Sequence, residues 1–300
     1  MASSQRSRNR RTSSTRERGP RHVEPILDPN WQSPYVPTAH ERHVHEAAVR
    51  RFAVRRRTPQ TVLAAVVSLV LIGLAASAWW FALLGVGVAA LYAFDLRRVV
   101  TAYDRRGHAL AGQMRSHFTV ATSEIDRQRL ATVLDRLAAT FGVADVVATI
   151  VDDPGYNAAL VPDTEGYSLF VTSAMMNDFE LIELEGVVGH CLARQRLGLL
   201  ARESVASVVS MNSAARRALA GEGATYRADE VAAATIRYPL GLAGALRRCS
   251  RQVVPAGSFF ASPLYDEWRW IFFDVASDQT VSDLSSLDDA ELRAMALEEW

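Results

Sequence analysis

The sequence contains no lysine: all 33 of its basic residues are arginine, and 33 acidic residues bring the formal charge to zero. The arginine bias reads as genome composition rather than mechanism. Cysteine is almost as scarce. Cys191 and Cys249 alone are too few for a disulfide framework and fit a reducing compartment. Charge of either sign is missing from the whole stretch Thr61 to Phe94, "TVLAAVVSLVLIGLAASAWWFALLGVGVAALYAF", which excludes an ordinary surface segment there. What remains is a chain of 300 residues, nearly half of them apolar, long enough to bury a sizeable core.

The neutral total hides an uneven layout. Residues 1–20, "MASSQRSRNRRTSSTRERGP", offer almost nothing to bury and read as a disordered, solvated tail that fixes membrane topology rather than an RNA- or lipid-binding arm. A Pro-punctuated linker completes a first region of residues 1–39. Residues 40–60 read as a basic amphipathic juxtamembrane segment, "HERHVHEAAVRRFAVRRR" at its core, able to lie along an anionic membrane surface. His40, His43 and His45 have the look of a metal cluster but lack a second ligand group nearby, and are expected as exposed helix residues.

One helix over Thr61–Phe94 would reach about 51 Å, far beyond the roughly 30 Å hydrocarbon core. Two short helices, about 61–76 and 80–94, fit better. The turn is expected at Ser77–Trp79, with Trp79 and Trp80 at an interface. Arg55–Arg57 precede the run and Arg97, Arg98, Arg105 and Arg106 follow it, so a transmembrane hairpin puts both flanks on the cytoplasmic side. The run is too long and too far from residue 1 for a cleavable signal.

After the hairpin, residues 105–300 read as a cytoplasmic α/β (α+β) domain, mostly helical with a small sheet. "EIDRQRLATVLDRLAATFG" has helical apolar spacing and ends on a Gly suited to a C-cap. "DVVATIVDD" reads as a strand, "PGYN" as a turn and "YSLFVTSAMM" as a second strand. One long helix is expected over "DFELIELEGVVGHCLARQRLGLLARESVASVVS", others at "TYRADEVAAATIR" and "LGLAGALRRC", and an acidic surface helix at the end. Trp268, Trp270, Phe272 and Phe273 read as core before docking surface. "ARESVASVVSMNSAARR" is too short and too polar for a second membrane hairpin.

Three stretches in register, "IVDDPGYNAAL", "SLFVTSAMMNDFELIELEGVVGH" and "RADEVAAATIRYPLGLAGAL", with the apolar run before them, resemble the HtpX-like, CAAX-protease-related family of membrane zinc metallopeptidases. The resemblance spans about Glu124 to Cys249. It implies a zincin-type domain in the inner membrane of a bacterial cell, multi-pass, with the N-terminus and the C-terminal domain cytoplasmic. It also implies a metal site built on HExxH, in which two His one turn apart hold zinc, the Glu activates water, and a later Glu is the third ligand. Of that set this sequence keeps His190 alone: Cys191 stands at the general-base position, Arg194 at the second ligand and Thr225 at the third. A protonated guanidinium beside the metal position would oppose binding. His108 and His117 fall before the matched region, and Cys191, next to His190 on the helix, diverges from it by about 100°.

No catalytic residue, no metal ligand and no cofactor are therefore expected, and Arg194 is expected to bridge to Asp229, or to Glu222. Ser168, Leu169, Phe170, Val171 and Thr172 are expected to form a peptide-binding sheet edge. The expected function is that of a membrane-anchored pseudopeptidase that binds or regulates other proteins. The alternative is an active zinc metalloendopeptidase of membrane-protein quality control with unusual ligands. Expected partners are the lipid bilayer and an unidentified membrane or cytoplasmic protein, not nucleic acid.

Overall fold

A computed structural model describes residues 34–221, 223–275 and 289–300. The Arg-rich tail, most of the Pro-rich linker and Glu222 lie outside the described residues. Where the pattern over His40–Arg57 predicts one basic helix on a membrane surface, the chain forms two. They are α1 (Ala39–Glu46), capped by the Thr38 hydroxyl, and α2 (Ala48–Arg56). Both dock on the protein itself. Val49 and Ala53 are buried, and Arg227 binds the Glu41 carboxylate at 2.9 Å.

α3 (Thr58–Gly73) follows and ends in a 3-10 turn, Leu74–Ala76; α4 (Trp80–His117) then runs back beside it, so the chain reverses at the expected 77–79. Arg57 bonds Asp95 and Thr61 bonds Tyr92 across the pair. Among the described residues, Thr58–Ala76 is the one helix long and apolar enough to cross a membrane. Its apolar side chains face outward rather than into a core: Leu63 is 64% exposed and Leu69 69%. α4 does not stop at the end of the apolar run. Its second half buries Leu110, Ala111 and Met114 against the rest of the protein, so the boundary drawn near 105 falls inside a continuous helix.

α5 (Glu124–Phe141) starts at a Ser123 cap and stops at Gly142, as its periodicity predicts. β1 (Val146–Val151), β2 (Ala158–Asp163) and β3 (Gly166–Thr172) form a sheet of order β1-β3-β2, with β1 parallel and β2 antiparallel to β3. Side chains alternate between two cores: Leu160 and Leu169 face one, Val161 and Phe170 the other. A sheet buried on both faces reads as a continuous apolar run.

Two corrections follow. "SAMM" is not strand, because the Thr172 hydroxyl caps a short α6 (Ser173–Asp178). Moreover, Ser168 to Thr172 form the middle strand, not an edge: β1 takes one side and β2 the other.

The expected long helix is likewise two, α7 (Leu181–Arg196) and α8 (Leu200–Val208), broken where Gly198 takes a φ of +76°, a conformation that only glycine adopts cheaply. α9 (Ser213–Ala220), α10 (Ala224–Ile236), α11 (Pro239–Arg251), α12 (Pro263–Trp268) and α13 (Ala290–Glu298) are the remaining α-helices among the described residues. α7 and α11 pack almost backbone to backbone. A Cβ on Gly186 would lie 2.7 Å from the Leu242 Cα. α13 is not a surface helix on all sides, since Ala290, Arg293, Ala294 and Leu297 are buried against its neighbours. Trp268, Trp270, Phe272 and Phe273 are core, as expected.

Candidate functional site

α7 is buried from Gly186 to Arg194, held at its start by a reciprocal cap between Glu180 and Glu183. His190, Cys191 and Arg194 are all fully enclosed. His190 donates from Nδ1 to Asp229 Oδ1 on α10 at 2.7 Å, and its ring meets Phe273 edge-on at 5.1 Å. The imidazole is neutral. Burial drives its pKa down to about 4, outweighing the pull of Asp229. Its second nitrogen, Nε2, therefore carries a lone pair, which has no hydrogen-bond partner.

The residue that answers Asp229 is not Arg194 but Arg293, from α13. Its Nε reaches Oδ2 at 2.6 Å and its Nη2 reaches Oδ1 at 2.9 Å, a two-pronged pairing with both partners enclosed. Nη1 donates to the Phe273 carbonyl at 3.0 Å. Burial works to raise the Asp229 pKa, but the charge of Arg293 and the contact with His190 outweigh it and hold the carboxyl below its ordinary range.

Arg194 points the other way. Its Nε lies 3.1 Å from Glu203 Oε2, with Nη2 2.9 Å from the same oxygen. Nη1 donates to the carbonyls of Ile271 (2.7 Å) and Phe272 (3.0 Å), and Nη2 also bonds the carbonyl of Trp270. Five N–H donors thus meet five acceptor contacts. The expected bridge between Arg194 and Asp229 is absent, because Glu203 and a row of backbone carbonyls lie closer to the guanidinium, while Arg293 occupies the carboxylate.

Both arginines therefore grip one segment, residues 270–273, which crosses the face of α7. The same segment runs on to β2: Phe273 donates its amide to the Ala158 carbonyl at 2.7 Å, and Asn157 clasps the Asp274 backbone with both ends of its amide. Thr225 is buried at the start of α10. Cys191 is walled in, and burial pushes its thiol up to about 12, so it supplies no thiolate at neutral pH.

Zinc does not fit these residues. A catalytic site needs three protein donors around one point; the free His190 lone pair is one, and two guanidiniums stand among its neighbours. No group of three or more His, Cys, Asp or Glu positioned for a metal exists among the described residues. No family model matches this chain, and no curated protein matches it. His190, Asp229 and Arg293 on one side, and Arg194 and Glu203 on the other, form a closed ionic core.

Sequence reasoning brought His190 and Asp229 into one region but missed Glu203 and Arg293. A signal for Arg293 was present: it is the single basic residue after Arg269 in a strongly acidic stretch.

Proposed function

We propose that this protein is a membrane-anchored, catalytically inactive relative of the HtpX-like zinc metallopeptidases, which binds or regulates another protein at the cytoplasmic membrane face. One observation carries the loss of catalysis. Arg194 stands where the second metal ligand would be, and the hydrogen bonds of Arg194 and Arg293 hold residues 271–273 against α7. The membrane reading rests on α3 and the apolar first part of α4, whose leucines face outward in a folded protein. Arg55–Arg57 and Arg97–Arg98 mark the same end of the pair, and positive charge on both flanks supports a cytoplasmic reading of that end.

β3 offers no edge to a partner, and residues 272–274 lie along β2. Among the described strands the edge that remains belongs to β1, where residues 119–121 pair only at its end, 150–152, and Val147 is 64% exposed. An extended segment of a partner protein would pair there by main-chain hydrogen bonds.

The competing reading, an active zinc endopeptidase, has in its favour that His190 is oriented by a carboxylate as zinc-binding histidines are. The full chain, purified in mild detergent without chelator and assayed for zinc by elemental mass spectrometry, separates the two. The expected result is a folded protein without stoichiometric zinc. About one equivalent, lost on His190→Ala, overturns the proposal.

A further inference from the structure

A groove of about 650 Å³ lies between α2 and α9, away from His190. Arg51, Arg55 and Arg56 reach it from α2 and Arg202 from α8, and no carboxylate is among the described residues that line it. Phe52 and Leu219 give it an apolar side. Arg202 is only 8% exposed, and its Nε has no hydrogen-bond partner. Its chain neighbour Glu203 is turned toward Arg194 instead. A buried N–H without an acceptor is costly, and burial lowers the Arg202 pKa as well. An anion in the groove would remove that cost.

We infer that this groove binds the phosphodiester headgroup of an anionic membrane lipid. Four arginines and no carboxylate among the lining residues call for a phosphate group. The choice of lipid over free phosphate comes from two further features. Arg55 and Arg56 lie within one turn of Thr58, the first residue of the apolar helix, so the groove opens at headgroup level, a placement that rests on the membrane reading above. The apolar wall then suits the glycerol and first acyl carbons, which inorganic phosphate lacks.

The test uses the full chain in neutral detergent, offered dioleoyl phosphatidylglycerol, dioleoyl phosphatidylcholine or inorganic phosphate, with retained ligand read by native mass spectrometry. Phosphatidylglycerol is expected to be retained about tenfold better than phosphatidylcholine, the scale of one charge-assisted hydrogen bond. Both Arg202→Gln and Ala218→Phe, which fills the groove while keeping every charge, are expected to abolish that preference. The double variant Arg105→Gln/Arg106→Gln, on the exposed face of α4, is expected to keep it.

Equal retention of the two lipids overturns the inference. So does a preference that survives both groove variants but falls in the α4 variant, or displacement of the lipid by millimolar phosphate. Resistance to carbonate extraction from membranes reads the anchoring of the chain separately, so failure of the groove and failure of the membrane reading are told apart.

Discussion

Replacing Arg194 with Met tests whether the ionic core holds the fold together. Met nearly matches the length of the aliphatic stem, so the change removes the guanidinium and leaves little empty space. What it strands is polar: the Glu203 carboxylate, 2% exposed, loses its arginine, and the carbonyls of Trp270, Ile271 and Phe272 lose the donors that reach them from α7. Breaking a buried pair by deleting one partner costs about 3–5 kcal/mol, a large share of the roughly 5–15 kcal/mol that stabilises a typical protein. At about 2–4 °C per kcal/mol for a chain of this size, the melting temperature is expected to fall by roughly 10 °C. The assay is thermal and denaturant unfolding of the full chain in one detergent, with Arg194→Lys beside it. Lys keeps the charge but has three donors instead of five, so its loss is expected to be intermediate. A fall of less than about 3 °C in the Met variant, or a Lys variant worse than Met, would refute the argument that donor number and geometry at this site hold residues 270–273 in place.

Gly186→Ala should cost about 1–3 kcal/mol, because the new methyl would meet the Leu242 backbone, which cannot swing away; a raised melting temperature, as helix propensity alone predicts, would show that α7 and α11 can part easily. Stability should also fall as pH drops from 6.5 toward 4. Over that window unfolded chains take up a proton on His190 and the native protein, with its pKa at about 4, does not. The stability present above pH 6.5 is therefore lost by roughly 3 kcal/mol. His45 is depressed to about 4 as well and contributes in the same direction, so the measurement is the difference in slope between the native chain and His190→Gln, and equal slopes would sink it.

What could be read from the sequence was local. The periodicity and caps of α5, the β-branched run of β1 and the stop before Pro239 all act within a few residues, and each element lies where they put it. β2 escaped because it is buried on both faces and contains Pro162, so neither alternation nor propensity marks it. The break at Gly198 was legible in the glycine itself. The place of β3 in the sheet was not, since strand order depends on how the 152–157 connection and the two-residue turn after Asp163 lay the strands side by side. The partner of Arg194 was not legible either. Asp229 and Glu222 are the partners expected from the sequence, whereas the residue that matters, Glu203, becomes a neighbour only because the chain turns at Gly198 and brings α8 back beside α7.

That turn links the two networks. Glu203, on α8, and Asp229, on α10, each neutralise one arginine, and each arginine spends its remaining donors on the same backbone segment, Trp270 to Phe273. The segment is thus held from both ends of the α7 face by groups from four different helices. In a zinc site the metal would do that work through side chains alone, and the cleft over it would have to stay open for substrate. Here the acceptors are main-chain carbonyls, so the bonds form only if the segment lies down across α7. Closing the face is therefore a condition of satisfying the buried charges, and opening it would expose two guanidiniums and four carbonyls at once. An arrangement in which stability depends on closure is poorly suited to admitting a peptide for cleavage at this face, and it leaves the outer surfaces, the β1 edge and the groove beside α2, as the places where the proposed partners would bind.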